Sequence, residues 1–212
     1  MDTQSSFESQ AWRKVGILTV ALLGLWSVEL FLMANAWDMS ILLSVLAGTS
    51  GILLAMSFSL SSFGYYFNFL DSKLVYRKYF GLVGYFLALI YALLTAFLYP
   101  AIYAYSLPGS LLTIEVGFAV AAMGILTVMA LVSNKKAITI LGGRLWKNIL
   151  GLGYIAYALL IIRGIFLDSA LWADVLNGEI HFTVRMFLTA LGFAVLLFRV
   201  SVPFHKKYAI LH

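Results

Sequence analysis

The sequence predicts an all-α protein built as a bundle of six membrane-spanning helices, and two observations, the composition and the pattern of apolar runs, predict this class. Of the 212 residues, 63% are hydrophobic and only 11% are charged, which lies far outside the composition of soluble domains. The apolar residues occur in six long runs without strand-like alternation, which argues against an outer-membrane barrel. The chain has no cysteine, which excludes a disulfide, an iron–sulfur cluster and a Cys-ligated zinc site.

Each apolar run is about as long as is needed to cross roughly 30 Å of hydrocarbon. The polar residues 1–10 are expected to fray before the first span. The second span is rich in small residues, among them Gly48, Gly51 and Ala55, which allow close contact between helices. We expect one transmembrane domain over residues 1–212, with spans at 15–34, 41–62, 80–99, 111–131, 149–166 and 182–200.

The first span has to be weighed against a cleaved signal peptide, because Ala34-Asn35-Ala36 resembles a small-x-small cleavage site. The apolar run before it is longer than that of a typical signal peptide and contains Glu29. We therefore expect a retained span.

The loops carry their charge unevenly. Twelve of the 14 basic residues lie beside one set of helix ends, and four acidic residues lie beside the other. The positive-inside rule then places both termini in the cytoplasm, in a multi-pass protein of the cell membrane. The partner of these basic loops is the lipid bilayer, and no binding to nucleic acid is indicated. The twelve are Arg13, Lys14, Lys73, Arg77, Lys78, Lys135, Lys136, Arg144, Lys147, Arg199, Lys206 and Lys207.

Four ionisable residues fall inside the predicted spans: Glu29, Glu115, Arg163 and Arg185. From the rise per helical residue, Glu29 and Arg163 lie roughly 21 Å from the cytoplasmic edge, and the other two roughly 24 to 26 Å. Two acids and two bases on four helices thus share one layer in the outer part of the bilayer. Each would be costly facing lipid alone, so we expect them to meet inside the bundle.

Three interpretations of this charged layer stay open. It is a buried polar network that fixes the register of the helices, a polar pocket that holds an anionic or quinone-like ligand, or a set of side chains that reach the outer headgroups. The histidines do not settle the choice, because His181, His205 and His212 are not placed as a bis-His haem site requires. No metal site is predicted, and Gly142-Gly143 is better interpreted as the turn before a helix than as a phosphate loop.

Two helix starts resemble those of a known family. Leu141-Gly142, Trp146-Lys147, Leu152 and Tyr154 are similar to the start of the fifth helix in the ferric-reductase-like transmembrane domain. This is the family of the NADPH oxidases, the STEAP reductases and the bacterial haem-binding subunit MsrQ. The segment 77–81 resembles the start of the family's third helix, and 48–60 resembles its second span. The resemblance implies the family's six-helix fold.

The same resemblance places the family's haem-ligating histidines on Tyr91, Leu150 and Arg163. None of these is a histidine, and leucine cannot ligate iron. The resemblance therefore implies the fold without the usual haem, and Tyr91 is better explained as a core aromatic than as a tyrosinate ligand. No cofactor is predicted, with haem or a quinone bound through other ligands as the alternative.

Three functions follow as hypotheses. The first is a haem-free structural or regulatory subunit of a membrane complex, with a partner membrane subunit. The second is a transmembrane electron-transfer protein that binds haem or quinone through other residues and receives electrons from a soluble reductase, since the chain has no region large enough for a flavin or nucleotide domain. The third is a small transporter or lipid-binding protein that uses the charged layer as its site.

Overall fold

The computed structural model describes residues 2–34, 38–64, 66–67, 70, 73–98, 114–167, 172, 175, 177 and 184–209. This part of the chain is helical and contains no strand, which confirms the predicted all-α class. Its long helices are α1 (Asp2–Ala34), α2 (Met39–Phe63), α3 (Tyr76–Leu98), α4 (Ile114–Val132), α5 (Lys135–Gly151), α6 (Gly153–Leu167) and α7 (Val184–Ala209).

Four stretches of these helices are long and apolar enough to cross a membrane: Phe7–Leu32, Met39–Phe63, Tyr76–Phe97 and Lys136–Phe166. They contain the predicted second and fifth spans and all but the last two residues of the predicted first and third spans. The predicted fourth and sixth spans overlap the shorter apolar helices Val116–Val132 and Met186–Val202. The described helices are therefore compatible with an integral membrane protein, while the count of six spans stays a prediction. Residues 35–36, 99, 111–113 and 182–183 of the predicted spans and of the cleavage-like sequence lie outside the described residues.

One expectation about a segment outside the spans is wrong. Residues 2–10, expected to fray, belong to α1, because the helix that the apolar run forms continues through them toward the amino terminus. Between the predicted fourth and fifth spans lies helix α5 (Lys135–Gly151), which begins six residues before Leu141, where the resemblance places the start of the fifth helix. Asn134 caps this helix by accepting a hydrogen bond from the backbone N–H of Ala137 at 2.8 Å, and this local bond satisfies one of the free donors of the first turn.

The chain divides into two compact units, Met1–Leu98 and Tyr99–His212. In the first unit α2 packs against both α1 and α3. Of the apolar window of α2, 67% is buried inside the protein, compared with 17% for α1. The predicted role of small residues in α2 is consistent with this position, since Gly48 and Ala55 are buried and Gly51 is half-buried. Whether the two units belong to one transmembrane domain stays a prediction.

The contact between α2 and α3 is close because glycines of α3 face α2. A Cβ atom added to Gly84 would lie 3.1 Å from Cγ of Leu54, and one added to Gly81 would lie 3.0 Å from Oγ of Ser57. The Ser57 hydroxyl donates a hydrogen bond of 2.8 Å to the carbonyl oxygen of Arg77. This bond links the first turn of α3 to the second half of α2.

The amino-terminal half of α1 closes the core of this unit. Ala11 and Val15 are buried with Leu53 of α2 and with Tyr79 of α3. The Trp12 ring meets the Tyr79 ring edge to face, with the ring centroids 5.1 Å apart. Aromatic pairs of this geometry contribute about 0.5–1.5 kcal/mol beyond the area that they bury.

In the second unit α6 packs against α4 and against α7. The rings of Phe118 in α4 and Phe166 in α6 stack with centroids 6.1 Å apart, so the start of α4 lies beside the end of α6. At the opposite end of α4, the indole Nε1 of Trp146 donates a hydrogen bond of 3.0 Å to the carbonyl oxygen of Val132. Helices α4 and α6 therefore run antiparallel, and α5 connects them.

Helix α5 is broken at Gly142, whose φ of 74° and ψ of 154° are not helical. This conformation is open to glycine and strained for residues with a Cβ atom. The prediction of a turn at Gly142-Gly143 before a helix is thus confirmed. After the break the helix runs on through Leu152, whose own φ and ψ are helical, into α6.

Candidate functional site

The first member of the predicted charged layer, Glu29, lies on α1 and is half-buried. It lines a shallow open groove together with Gly24, Leu25, Val28 and Leu32 of the same helix. Leu25 is 66% exposed and Leu32 is 68% exposed, and a Cβ atom added to Gly24 would meet nothing within 4 Å. The carboxylate of Glu29 therefore stands at the border of an open apolar face.

Arg163 lies on α6, in the second unit, and is half-buried with its Nε atom fully buried. The next residue, Gly164, faces Thr189 of α7: a Cβ atom at Gly164 would lie 2.8 Å from Oγ1 of Thr189. Arg163 thus stands next to the closest approach of α6 and α7. Because Glu29 and Arg163 belong to different compact units, the pairing predicted for them stays a prediction.

For Glu115 and Arg185 the structure describes the backbone. Glu115 is one turn before Phe118 in α4, and Phe118 stacks on Phe166, which is one turn after Arg163 in α6. Arg185 is one turn before Thr189, the residue that Gly164 approaches. The three charged positions of the second unit therefore lie at one end of the helices α4, α6 and α7. That their side chains meet stays a prediction.

In the resemblance to the ferric-reductase-like domain, the haem-ligand positions fall on Tyr91, Leu150 and Arg163. Tyr91 lies in the first compact unit, and the other two lie in the second. Tyr91 lies on α3 and is half-buried, and its carbonyl oxygen accepts a hydrogen bond of 2.7 Å from Oγ1 of Thr95. Leu150 lies on α5 and is half-buried. Leu150 has no donor atom, and Arg163 presents a cation, so the residues at these positions do not fit a histidine-ligated haem.

No metal centre is found among the described residues, which contain no group of three or more His, Cys, Asp or Glu side chains able to hold a metal ion. His181 and His212 lie outside the described residues. For His205 only the helical backbone is described.

The structure shows features that the sequence did not predict. Thr49, in the middle of α2, is fully buried, and its hydroxyl makes no hydrogen bond within the described part of the chain. The guanidinium of Arg199 lies over the ring of Tyr154, 4.7 Å from its centroid. Helix α5 exposes Lys136, Arg144 and Lys147 to the surroundings. The helix itself had a sequence signal in the Asn134 cap, but the pairing of Arg199 with Tyr154 joins residues 45 positions apart along the chain and had none.

No protein-family model matches the sequence, and no curated protein matches it at a significant level. The fold and the composition define the class of the protein on their own. Its apolar helices are compatible with an integral membrane protein, and four of them are long enough to cross a lipid bilayer.

Proposed function

We propose that the protein is a haem-free structural or regulatory subunit of a membrane complex. In this proposal its six spans follow the arrangement of the ferric-reductase-like transmembrane domain, with both termini in the cytoplasm. The observation that carries the proposal is the position of Glu29 on the open face of α1.

The face of α1 around Glu29 has the properties of a contact surface for another membrane helix. Exposed Leu25 and Leu32 are stable in contact with lipid, but a carboxylate that faces hydrocarbon costs several kcal/mol. Gly24 lies one turn before Val28 and leaves open space beside its backbone, which allows a second helix to approach closely. A membrane helix of a partner subunit would fill the groove. A basic or hydrogen-bond-donating side chain on that helix would pair with the carboxylate of Glu29.

The positions of the resembling family's haem ligands support the haem-free part of the proposal. A haem iron in that family needs two imidazoles on facing helices, whereas this chain offers a phenol, an alkyl group and a guanidinium at Tyr91, Leu150 and Arg163. The chemistry left to such a subunit is positioning and contact with a partner.

Photo-crosslinking in the native membrane tests the contact. A photoreactive amino acid is placed at Leu25 of the full-length chain, and the matched control is placed at Phe193, which is 54% exposed on α7. We expect an adduct of one defined mass from position 25 that is absent from position 193 and is lost when Glu29→Leu is added. The contact is refuted if position 25 gives no discrete adduct, or if the same adduct survives unchanged in the Glu29→Leu variant.

The haem-free character is tested separately, by absorption spectra of the purified protein before and after reduction with dithionite. We expect no Soret band. If the pure protein contains a stoichiometric, redox-active chromophore, the proposal is wrong. The second hypothesis, an electron-transfer protein that holds haem or quinone through other residues, would then be favoured.

A further inference from the structure

Helix α5 combines positive charge with exposure in a way that neither the proposed contact of α1 nor the fold of the spans requires. The segment 135–151 contains four basic residues and no acidic residue. Lys136, Arg144 and Lys147 are exposed. Such an unbalanced cluster attracts anions within about one Debye length, roughly 8 Å at physiological ionic strength.

The same helix exposes large apolar side chains between its basic residues. Ile140 is 81% exposed and Leu145 is 50% exposed, and Ile138 is also on the surface. Exposed isoleucine and leucine are unfavourable in water, whereas a helix that carries both basic and large apolar side chains is typical of the boundary between lipid headgroups and acyl chains.

The fold places α5 at the shared end of two apolar helices. The helix connects the antiparallel helices α4 and α6, so it lies where two apolar helices end. The bond from Trp146 to the carbonyl oxygen of Val132 fixes α5 against the end of α4. The break at Gly142 separates the segment 135–141 from the helix that continues into α6, which puts Arg144 and Lys147 in the first turns of that helix.

We infer that α5 is a binding surface for anionic phospholipids. Lys136, Arg144 and Lys147 contact the phosphate and acidic headgroups, and Ile138, Ile140 and Leu145 enter the upper acyl region. A zwitterionic lipid offers the same acyl contacts without net charge, so the surface discriminates by headgroup charge. Each basic residue near an anionic surface strengthens binding about fivefold, and three together roughly a hundredfold.

The experiment compares lipid adducts on the full-length, detergent-purified protein by native mass spectrometry. The protein is titrated with phosphatidylglycerol and with phosphatidylcholine of identical acyl chains. The test variant is K136Q/R144Q/K147Q. The matched control is R13Q/K14Q/K73Q, which removes the same charge from three exposed residues of the other compact unit.

We expect wild-type protein to bind phosphatidylglycerol more tightly than phosphatidylcholine. In the α5 variant the affinity for phosphatidylglycerol should fall by roughly a hundredfold, whereas in the control variant it should change less than about threefold. Glycerol phosphate at the same concentrations should not compete, since it lacks acyl chains. If the triple variant does not fold, the single variants K136Q and R144Q replace it, each with an expected loss of about fivefold. The inference is overturned if the two triple variants lose the preference for phosphatidylglycerol to the same extent. It is also overturned if phosphatidylcholine binds as tightly as phosphatidylglycerol, or if glycerol phosphate displaces the lipid.

Discussion

The guanidinium carbon of Arg199 lies 4.7 Å from the centroid of the Tyr154 ring. The two side chains join the first turn of α6 to α7 at the end of the unit opposite Gly164 and Thr189. Arg199 is one of the twelve basic residues that the positive-inside rule uses for orientation, and the structure gives it a packing role as well. A cation over an aromatic face within about 6 Å is attracted to the ring quadrupole.

The first prediction concerns this pair. We expect Arg199→Gln to lower the free energy of unfolding in detergent micelles by about 0.5–2 kcal/mol, because the cation over the ring is lost. Tyr154→Phe should change little, since the aromatic face remains, whereas Tyr154→Leu should cost a similar amount to Arg199→Gln. In a double-mutant cycle the losses from Arg199→Gln and Tyr154→Leu should not add. Strict additivity would show that the two residues act independently.

The second prediction concerns the contact between α6 and α7. A Cβ atom added to Gly192 would lie 2.8 Å from Cγ1 of Ile161 and 3.3 Å from the hydroxyl of Tyr157. Gly192→Ala should therefore destabilise the protein by about 1–3 kcal/mol through overpacking. The matched control is Gly124→Ala on α4, where an added Cβ would meet nothing within 4 Å.

The control should be neutral or stabilising by up to about 1 kcal/mol, because alanine favours helix over glycine. Both are measured as shifts in the thermal unfolding midpoint. Equal shifts of the same sign would contradict the close approach of the two helices.

The third prediction concerns the break in α5. Gly142 has a φ of 74°, in a region that is essentially closed to residues with a Cβ atom, so Gly142→Ala should cost about 1–3 kcal/mol. Its neighbour Gly143 has an ordinary φ and open space around its Cβ position, so Gly143→Ala should be tolerated. If the thermal midpoint is unchanged by Gly142→Ala, the chain turns elsewhere and α5 does not break at this residue.

What the sequence could predict depended on whether the signal was local. The all-α membrane class follows from composition, and the turn at Gly142 follows from a glycine pair next to a helix. The first turns of α5, residues 135–140, were not predicted as helix because their mixture of lysine, threonine and isoleucine fits a basic loop as well as a helix. The contacts of Gly192 with Ile161, and of Arg199 with Tyr154, depend on the register of two helices, which hydrophobicity alone does not determine since both helices are apolar on most faces.

The charged layer shows the same limit. The rise per residue predicted similar depths for Glu115, Arg163 and Arg185. In the structure their backbones lie at one end of the second unit, because α4 packs antiparallel to α6 and Gly164 approaches Thr189. Which of these side chains meet is a matter of helix rotation, for which the sequence has no signal. The groove beside Glu29 could not be predicted either, because it depends on which face of α1 the helices α2 and α3 leave open.

The last prediction concerns Thr49, whose hydroxyl is buried in α2 without a hydrogen bond in the described part of the chain. A buried hydroxyl that lacks a partner costs about 1–3 kcal/mol of desolvation. Thr49→Val keeps the shape of the side chain and removes this group, so the free energy of unfolding should rise by about 1 kcal/mol or more. The matched control is Thr95→Val on α3, which removes a hydroxyl that bonds the carbonyl oxygen of Tyr91 at 2.7 Å and should be neutral or destabilising. Thermal unfolding of the two variants under identical detergent conditions measures the difference. If Thr49→Val destabilises the protein more than Thr95→Val does, the Thr49 hydroxyl has a bonding partner, and the interior of the first unit is more polar than the packing of α2 indicates.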